Sequence, residues 1–61
     1  MHEQFIGLSK KRAQNLAEFK NLIFRLVSLD GERYLGEPED VRNDRVCVEV
    51  VDEKVVKAEI K

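Results

Sequence analysis

Pro38-Glu39-Asp40-Val41-Arg42-Asn43-Asp44-Arg45 runs directly into Val46-Cys47-Val48-Glu49-Val50-Val51, and this junction decides the fold. In the second part, valines at every other position alternate with Cys47 and Glu49, and a period of two predicts a half-buried β-strand. The first part is polar, crowded with charge, and holds the only proline of the chain. A polar loop on a rigid strand is a common place for a binding site, so the sequence predicts a site here.

The chain has 61 residues, which is the length of one small domain. A domain of this size buries only about 60% of its unfolded surface and is therefore marginally stable. One cysteine cannot form an internal disulfide, and the sequence holds no cluster of metal ligands. We therefore expect residues 1–61 to form one domain without metal or cofactor, in which residues 1–6 are a flexible lead-in anchored, if at all, by Phe5 and Ile6.

Charge is abundant but nearly balanced: 38% of the residues are charged and the net charge is −1. Residues 1–29 carry five basic and two acidic side chains, whereas residues 30–61 carry six basic and ten acidic ones. Neither half is a polyelectrolyte, which argues against a nucleic-acid partner.

No apolar run reaches the roughly 20 residues of a membrane span, and no signal-peptide core follows Met1. We expect no membrane association, and a cytoplasmic location if the chain is complete.

The residues from Ser9 to Lys20 predict one α-helix. Ser9 is a good N-cap, and Asn21 is suited to a left-handed helix end. Ala13, Leu16 and Ala17 form an apolar stripe, and a helix of about three turns needs a sheet to cover that stripe.

Two further strands are predicted, Leu22 to Leu29 and Val55 to Ile60. The first has Leu22, Phe24 and Leu26 on one face and Ile23, Val27 and Leu29 on the other, interrupted by Arg25, which is typical of a central strand. The second presents Val56, Ala58 and Ile60 on one face. A connection of about 13 residues, Glu32 to Asp44, can cross over as easily as turn back, so the first strand is either parallel or antiparallel to Val46–Val51. The predicted fold class is α+β: a single helix packed on a small mixed β-sheet with an extended exposed loop.

Catalytic chemistry has little support in the sequence. His2 is the only histidine and lies in the lead-in, where we expect it to be a bystander. Cys47 lies within a strand on the face of Arg45 and Glu49, which predicts a structural or half-exposed thiol and not a nucleophile. The carboxylates of Glu37, Glu39 and Asp40 either crowd together or form a solvated acidic loop. An enzyme is therefore the weakest hypothesis.

Two sets of cations have alternative readings. Lys10, Lys11 and Arg12 lie in the first helical turn, where the helix dipole disfavours positive charge. They are either ordinary surface charge or a contact to an acidic partner or to the acidic loop of the chain itself. Arg42 and Arg45 flank Asp44, and they form either exposed salt bridges or guanidinium braces that hydrogen-bond the loop and keep it rigid.

Together, Gly7-Leu8-Ser9, the helix containing Ala13, the apolar strand, the long loop and Arg42-Asn43-Asp44-Arg45-Val46 resemble the potato inhibitor I family of serine protease inhibitors, eglin c and short bacterial relatives among them. The resemblance runs from about Phe5 to Ile60. It implies one helix on a small sheet and a loop that docks into a protease cleft in the manner of a substrate. A loop that is ordered beforehand needs little further ordering on binding, which favours affinity.

The loop of that family usually reads Thr-x-Asp/Glu-Tyr-Arg-x-Asp-Arg, where x precedes the reactive bond. The resemblance puts Pro38 in the threonine place, Glu39 in the x place, and Asp40 and Val41 in the acidic and tyrosine places. The implied reactive bond is Glu39–Asp40. Arg42, Asp44 and Arg45 match the motif directly and are the implied loop braces, while Cys47 stands where many inhibitory members have a second bracing arginine.

The sequence therefore predicts a small serine protease inhibitor that binds its target through Glu37, Pro38, Glu39, Asp40 and Val41. The departures from the motif leave a second hypothesis open, a non-inhibitory protein-binding module on the same scaffold. Pro38 lacks the hydroxyl that threonine uses within the loop, and Glu39 suits a basic specificity pocket better than those of trypsin-like, chymotrypsin-like or subtilisin-like enzymes. The target protein and the oligomeric state are left open.

Overall fold

The computed structural model describes residues 2–61, except for the side chain of His2. The elements, in chain order, are a short 3₁₀ helix, one α-helix and four strands: 3₁₀ His2–Phe5, α1 Lys10–Phe19, β1 Ile23–Leu29, β2 Glu32–Arg33, β3 Arg45–Val51 and β4 Lys54–Ile60. One helix thus packs on a small four-stranded sheet, and the predicted α+β class is confirmed. Among the described residues, no helix combines the length and apolar character needed to cross a membrane.

The helix begins and ends at the residues that the sequence indicates. The Ser9 Oγ accepts a hydrogen bond of 3.2 Å from the Arg12 amide, which caps the first turn. Asn21 adopts a left-handed φ of 61°. Its amide donates to the Glu18 carbonyl (3.1 Å) and the Leu22 amide donates to the Ala17 carbonyl (2.8 Å), the pair of bonds of a Schellman motif. The left-handed residue turns the chain directly into β1.

The sheet has the strand order β2-β1-β3-β4. β1 and β3 are parallel neighbours, which is one of the two orientations that the length of their connection allows, and β2 and β4 are antiparallel to them at the two edges. The connection is not all loop, because Glu32–Arg33 pairs with Ser28–Leu29 through a two-residue turn at Asp30-Gly31. The remaining segment, residues 34–44, is called the site loop below.

The core lies between α1 and one face of the sheet. Ala13 and Ala17 are fully buried, and across from them lie Leu26 and three valines of β3, Val46, Val48 and Val50. Leu16, which the apolar stripe places in the core, is only half-buried at its edge. The two alanines allow the helix to approach the sheet closely, and a side chain of leucine size is displaced from the centre of that contact.

A β-bulge changes which residues of β4 face the core. Val50 pairs with Val55 while Glu49 pairs with Lys57, so Val56 is an extra residue in the ladder. Val55 is buried and Val56 is 51% exposed. The prediction that Val56 shares a face with Ala58 is therefore wrong, because Val55 takes its place beside Ala58 in the core, while Ile60 is exposed at the end of the sheet. Strict alternation cannot reveal an inserted residue.

The lead-in differs from its expected flexible form. It contains a 3₁₀ helix, and Phe5 is 1% exposed in the core, although Ile6 is exposed. The Gly7 amide donates to the Val55 carbonyl and the Val55 amide donates to the Leu8 carbonyl, each at 2.8 Å. Residues 7–8 thus pair with the outer edge of β4. The expected bystander role of His2 concerns a side chain that lies outside the described residues.

Candidate loop-binding site

The site loop begins after β2 and ends at β3, and it is held against the sheet by side chains from the face opposite the helix. Alternation along the strands puts Arg25 of β1 and Arg45 of β3 on this face, because Leu26 and Val46 face the core. Both guanidinium groups donate hydrogen bonds to the loop. The loop is therefore fixed by side chains that project from the two central strands.

Arg45 lies beneath the second half of the loop and is only 7% exposed. Its Nη2 donates to the carbonyl oxygen of Asp40 and to Asp40 Oδ1, each at 3.1 Å, and to the main-chain oxygen of Lys61 at 2.8 Å. Its Nε is buried and has no hydrogen-bond partner among the described residues. One nitrogen thus joins the loop to the end of β4, using the guanidinium as a charged donor.

Arg25 holds the first half of the loop and was not singled out from the sequence. Its Nε donates to the Gly36 carbonyl and its Nη2 to the Leu35 carbonyl, both at 2.9 Å. The one available signal was the charge itself, since Arg25 is the single charged residue of Leu22–Leu29. A charge inside an apolar strand needs a polar partner, but the sequence does not say which one.

Arg42 makes a local contact instead of reaching under the loop. Its Nε and Nη2 donate to the two carboxylate oxygens of Asp44 at 2.7 and 2.9 Å. Both side chains are about half exposed, so solvent screens this pair. The main-chain amide of Arg42, by contrast, donates to the main-chain oxygen of Lys61 at 3.1 Å. The Arg42 guanidinium therefore orders the loop end at Asp44 and does not bond Glu39 or Asp40.

A surface network of ion pairs holds the Glu37 side of the loop. The Lys61 Nζ lies 2.6 Å from a carboxylate oxygen of Glu37 and 3.1 Å from one of Glu59. Lys57 continues the chain of charges, at 3.7 Å from both Glu59 and Glu49. The hydrogen bond that Lys61 donates to Glu59 lowers the pKa of Glu59, and the hydrogen bonds that Lys61 donates to Glu37 and Glu59 raise its own pKa. The network connects the loop to both β3 and β4.

The two loop aspartates have lowered pKa values. The hydrogen bond from Arg45 is the main cause for Asp40, and the hydrogen bond from Arg42 is the main cause for Asp44. The same pair raises the pKa of Arg42. Both carboxylates are therefore ionised at neutral pH and stay so in moderately acidic solution.

Between these contacts, the loop presents Glu39 and Val41 to solvent. Glu39 is exposed and Val41 is 91% exposed, whereas Pro38 is half-buried. Glu37 and Asp40 are exposed but engaged by Lys61 and Arg45. Next to Val41, residues 41–44 line an open depression of about 520 Å³. An acidic and an apolar side chain, two positions apart, are thus the free contact groups of a segment anchored on both sides.

Cys47 is buried at 3% exposure, which excludes a half-exposed thiol and leaves the structural alternative. It lies on the face of Arg25 and Arg45, with Arg25 and Glu59 as its register neighbours. That face is covered where the two arginines draw the loop toward it. The alternation of β3 indicated the correct face but not that a loop folds over it.

Other candidate groups lie away from the loop. Lys10 and Lys11 line a depression of about 340 Å³ together with Glu53, at the turn between β3 and β4. Arg12 lines a neighbouring depression with Asp52 and Glu53. The acidic residues beside the basic first turn thus belong to this turn and not to the site loop. Among residues 2–61, no group of three or more His, Cys, Asp or Glu side chains is placed to hold a metal ion.

Comparison of the chain with models of protein families, with curated proteins and with solved structures finds no match.

Proposed function

We propose that this protein is a small serine protease inhibitor that offers residues 37–41 to the cleft of its target, with Glu39–Asp40 as the reactive bond. The observation that carries the proposal is the position of Arg45. A buried guanidinium bonds both the main chain and the carboxylate of Asp40, directly after the exposed Glu39. A segment held in this way has little conformational entropy left to lose when it enters a cleft.

The contacts on the two sides of Glu39 support the same proposal. Lys61 pairs with Glu37 before it, and Arg45 bonds Asp40 after it. The side chain of Glu39 is exposed between them. It is the residue that would enter the primary specificity pocket, and a carboxylate there requires a pocket with positive charge. We therefore propose a target that prefers glutamate at the cleaved bond.

The test is a titration of purified serine proteases, including glutamate-preferring ones, with the intact chain. We expect tight inhibition of a glutamate-preferring enzyme and a loss of most of the affinity in Glu39→Ala. Glu18→Ala is the matched control, since Glu18 is an exposed glutamate on the helix. Equal affinities for Glu39→Ala and Glu18→Ala would contradict the assignment of Glu39.

A second variant tests the scaffold independently of the natural target. Pro38→Thr combined with Glu39→Met restores the hydroxyl of the resembled motif and supplies an apolar residue at the primary position. We expect this variant to inhibit chymotrypsin-like or subtilisin-like enzymes. If neither this variant nor the parent chain inhibits any protease of the panel, the proposal that the protein is a protease inhibitor is wrong.

The alternative is a non-inhibitory module that binds another protein through the same loop. One observation favours it: Arg42 pairs with Asp44 and Cys47 carries no strong donor, so among the described residues Arg45 is the one arginine shown to hydrogen-bond residues 37–41. If this alternative holds, the loop exchanges slowly with solvent, binds a partner and inhibits no protease. The protease titration separates the two, because both expect an ordered loop, and hydrogen exchange of the loop amides shows whether the loop is ordered.

A further inference from the structure

We propose that Arg25 is a positioning residue of the site loop. Arg25 holds the first limb of the loop, residues 34–39, while Arg45 holds the second limb, residues 40–44. The binding consequences of this inference rest on the proposed function, but the positioning itself does not. Two nitrogens of one guanidinium, Nε and Nη2, donate to two consecutive main-chain acceptors, the carbonyls of Gly36 and Leu35. A planar fork suits two adjacent acceptors, which a lysine ammonium cannot match.

The register of the sheet explains why β1 carries this arginine. Arg25 pairs with Cys47 across the parallel ladder, and Cys47 is two residues beyond Arg45 on the same face of β3. Cys47 is the place where the resembled inhibitors have a second brace. The neighbouring strand therefore supplies a guanidinium beside the position where β3 has only a thiol, and the two arginines occupy adjacent strands of one face.

The Arg25 contact belongs to a set of hydrogen bonds that hold the first limb against β1. The amides of Leu35 and Gly36 donate to the carbonyls of Leu26 and Val27 at 3.2 and 3.0 Å. Gly36 is buried with a left-handed φ of 76°, a conformation that residues with a Cβ rarely adopt. The limb is thus bonded to β1 through its amides and to Arg25 through its carbonyls.

The two limbs lie on opposite sides of the proposed reactive bond. Hydrolysis of Glu39–Asp40 would add the hydroxyl of water to the Glu39 carbonyl carbon and a proton to the Asp40 nitrogen, and resynthesis would release the same water. After the cut, Arg25 would still hold the chain that ends at Glu39, and Arg45 would hold the chain that starts at Asp40. Holding both ends keeps them close, which favours resynthesis over dissociation.

The experiment is amide hydrogen exchange, measured by NMR, on the whole chain and on Arg25→Ala and Arg25→Lys. Arg12→Ala is the control that removes a similar charge from an exposed site on the helix. We expect the Leu35 and Gly36 amides to exchange about tenfold faster or more in Arg25→Ala, relative to the Val48 amide in the core, because only the limb loses bonds. Arg25→Lys keeps the stem and the charge, and should show a smaller but limb-specific increase.

Two results would overturn the inference. In one, the exchange rates of the limb and core amides rise equally in both Arg25 variants, which would mean that Arg25 only supports the sheet. In the other, the limb amides of Arg25→Lys exchange at the rate of the parent chain, which would mean that the planar guanidinium is not needed.

The protease titration separates this inference from the proposed function. If the parent chain inhibits and Arg25→Lys inhibits more weakly with faster loop cleavage, both hold. If no protease is inhibited but the limb-specific exchange is found, the proposed function fails and the positioning role stands.

Discussion

Arg45 combines a buried charge, three acceptors for a single nitrogen and a second nitrogen without a partner. Burying a guanidinium costs free energy unless its donors are satisfied, so the unpaired Nε makes this side chain a costly way to fill space. A fold that needed only packing here would be served by an apolar residue. The arrangement is understandable if ordering of the loop at Asp40 is what the side chain contributes.

The first prediction at this scale concerns Arg45→Ala. We expect a loss of about 1–3 kcal/mol in the free energy of unfolding, typical of truncating a buried and hydrogen-bonded side chain. Cleavage of residues 37–41 by proteases should become faster, because the Asp40 contacts are lost. Urea unfolding and limited proteolysis measure the two effects. In Arg42→Ala, which removes an exposed and local pair, both quantities should change little, and an equal change would contradict this account.

The second prediction concerns acid and Asp40. The pKa of Asp40 lies below its ordinary value of 3.8 in the folded chain, so the folded state binds fewer protons than the unfolded state. This contribution to stability is fully present above about pH 4 and is lost as the pH falls through the lower folded pKa. The pKa values of Asp44 and Glu59 are also lowered in the folded chain, so these two groups affect stability in the same direction. Stability should therefore fall below about pH 4.

The matched variant for the acid effect is Asp40→Asn, which removes one titrating group and keeps the shape of the side chain. Its unfolding free energy should depend less on pH between about pH 2 and pH 4 than that of the parent chain. Urea titrations at several pH values measure this difference. Parallel curves for the two proteins would show that Asp40 is not coupled to folding.

At the scale of elements, the two hairpin turns differ in how well the sequence fits their backbone. Both residues of each turn have positive φ, the geometry of a type I′ turn. Asp30-Gly31 suits that geometry, whereas Asp52-Glu53 places a glutamate at a φ of 66°. The Asp52 amide donates to Asp30 Oδ1 at 2.7 Å, so the first turn helps to hold the second. Because a residue with a Cβ rarely adopts a positive φ, the backbone at Glu53 is strained.

Glu53→Gly should release that strain. We expect the free energy of unfolding to rise by about 0.5–1 kcal/mol, because glycine adopts this φ without a Cβ clash. The matched control is Glu18→Gly within the helix, which should lower stability by about 1 kcal/mol. Thermal unfolding of both variants followed by circular dichroism gives the comparison. A fall in stability for Glu53→Gly would mean that the glutamate side chain is needed at the turn.

For the molecule as a whole, Phe5 closes a core that one helix and a small sheet do not fill. It is among the largest fully buried side chains, together with four valines. In a domain of 61 residues, few apolar side chains share the stabilisation, so each carries a large part of it. The lead-in is therefore a structural part of the domain.

Phe5→Ala tests this conclusion. We expect a cost of about 3–5 kcal/mol, the usual loss for a buried phenylalanine, and at this size that is enough to unfold much of the population at room temperature. Phe19→Ala provides the same chemical change at a side chain that is 84% exposed, and should be nearly neutral. Circular dichroism melting curves compare the two. Similar melting temperatures for both variants would show that residues 2–5 do not contribute to the core.

The sequence by itself determined the local elements, because their signals are local. Ser9 and Asn21 mark the two ends of the helix, and valines at every other position mark β3, with the core face correctly assigned. The length of one connection allowed β1 and β3 to be either parallel or antiparallel, and only the structure shows that they are parallel. Periodicity and capping depend on residues that lie close together in the chain, and a sequence shows these directly.

Only the tertiary structure decided the features that depend on contacts between distant segments. The bulge in β4 exchanges Val55 for Val56 because it is set by pairing with β3. Cys47 is buried because the site loop folds over its face, and Arg25 bonds residues ten and eleven positions further along the chain. Hydrogen bonds between remote segments form only where the whole fold brings donor and acceptor together, and no local pattern carries that information.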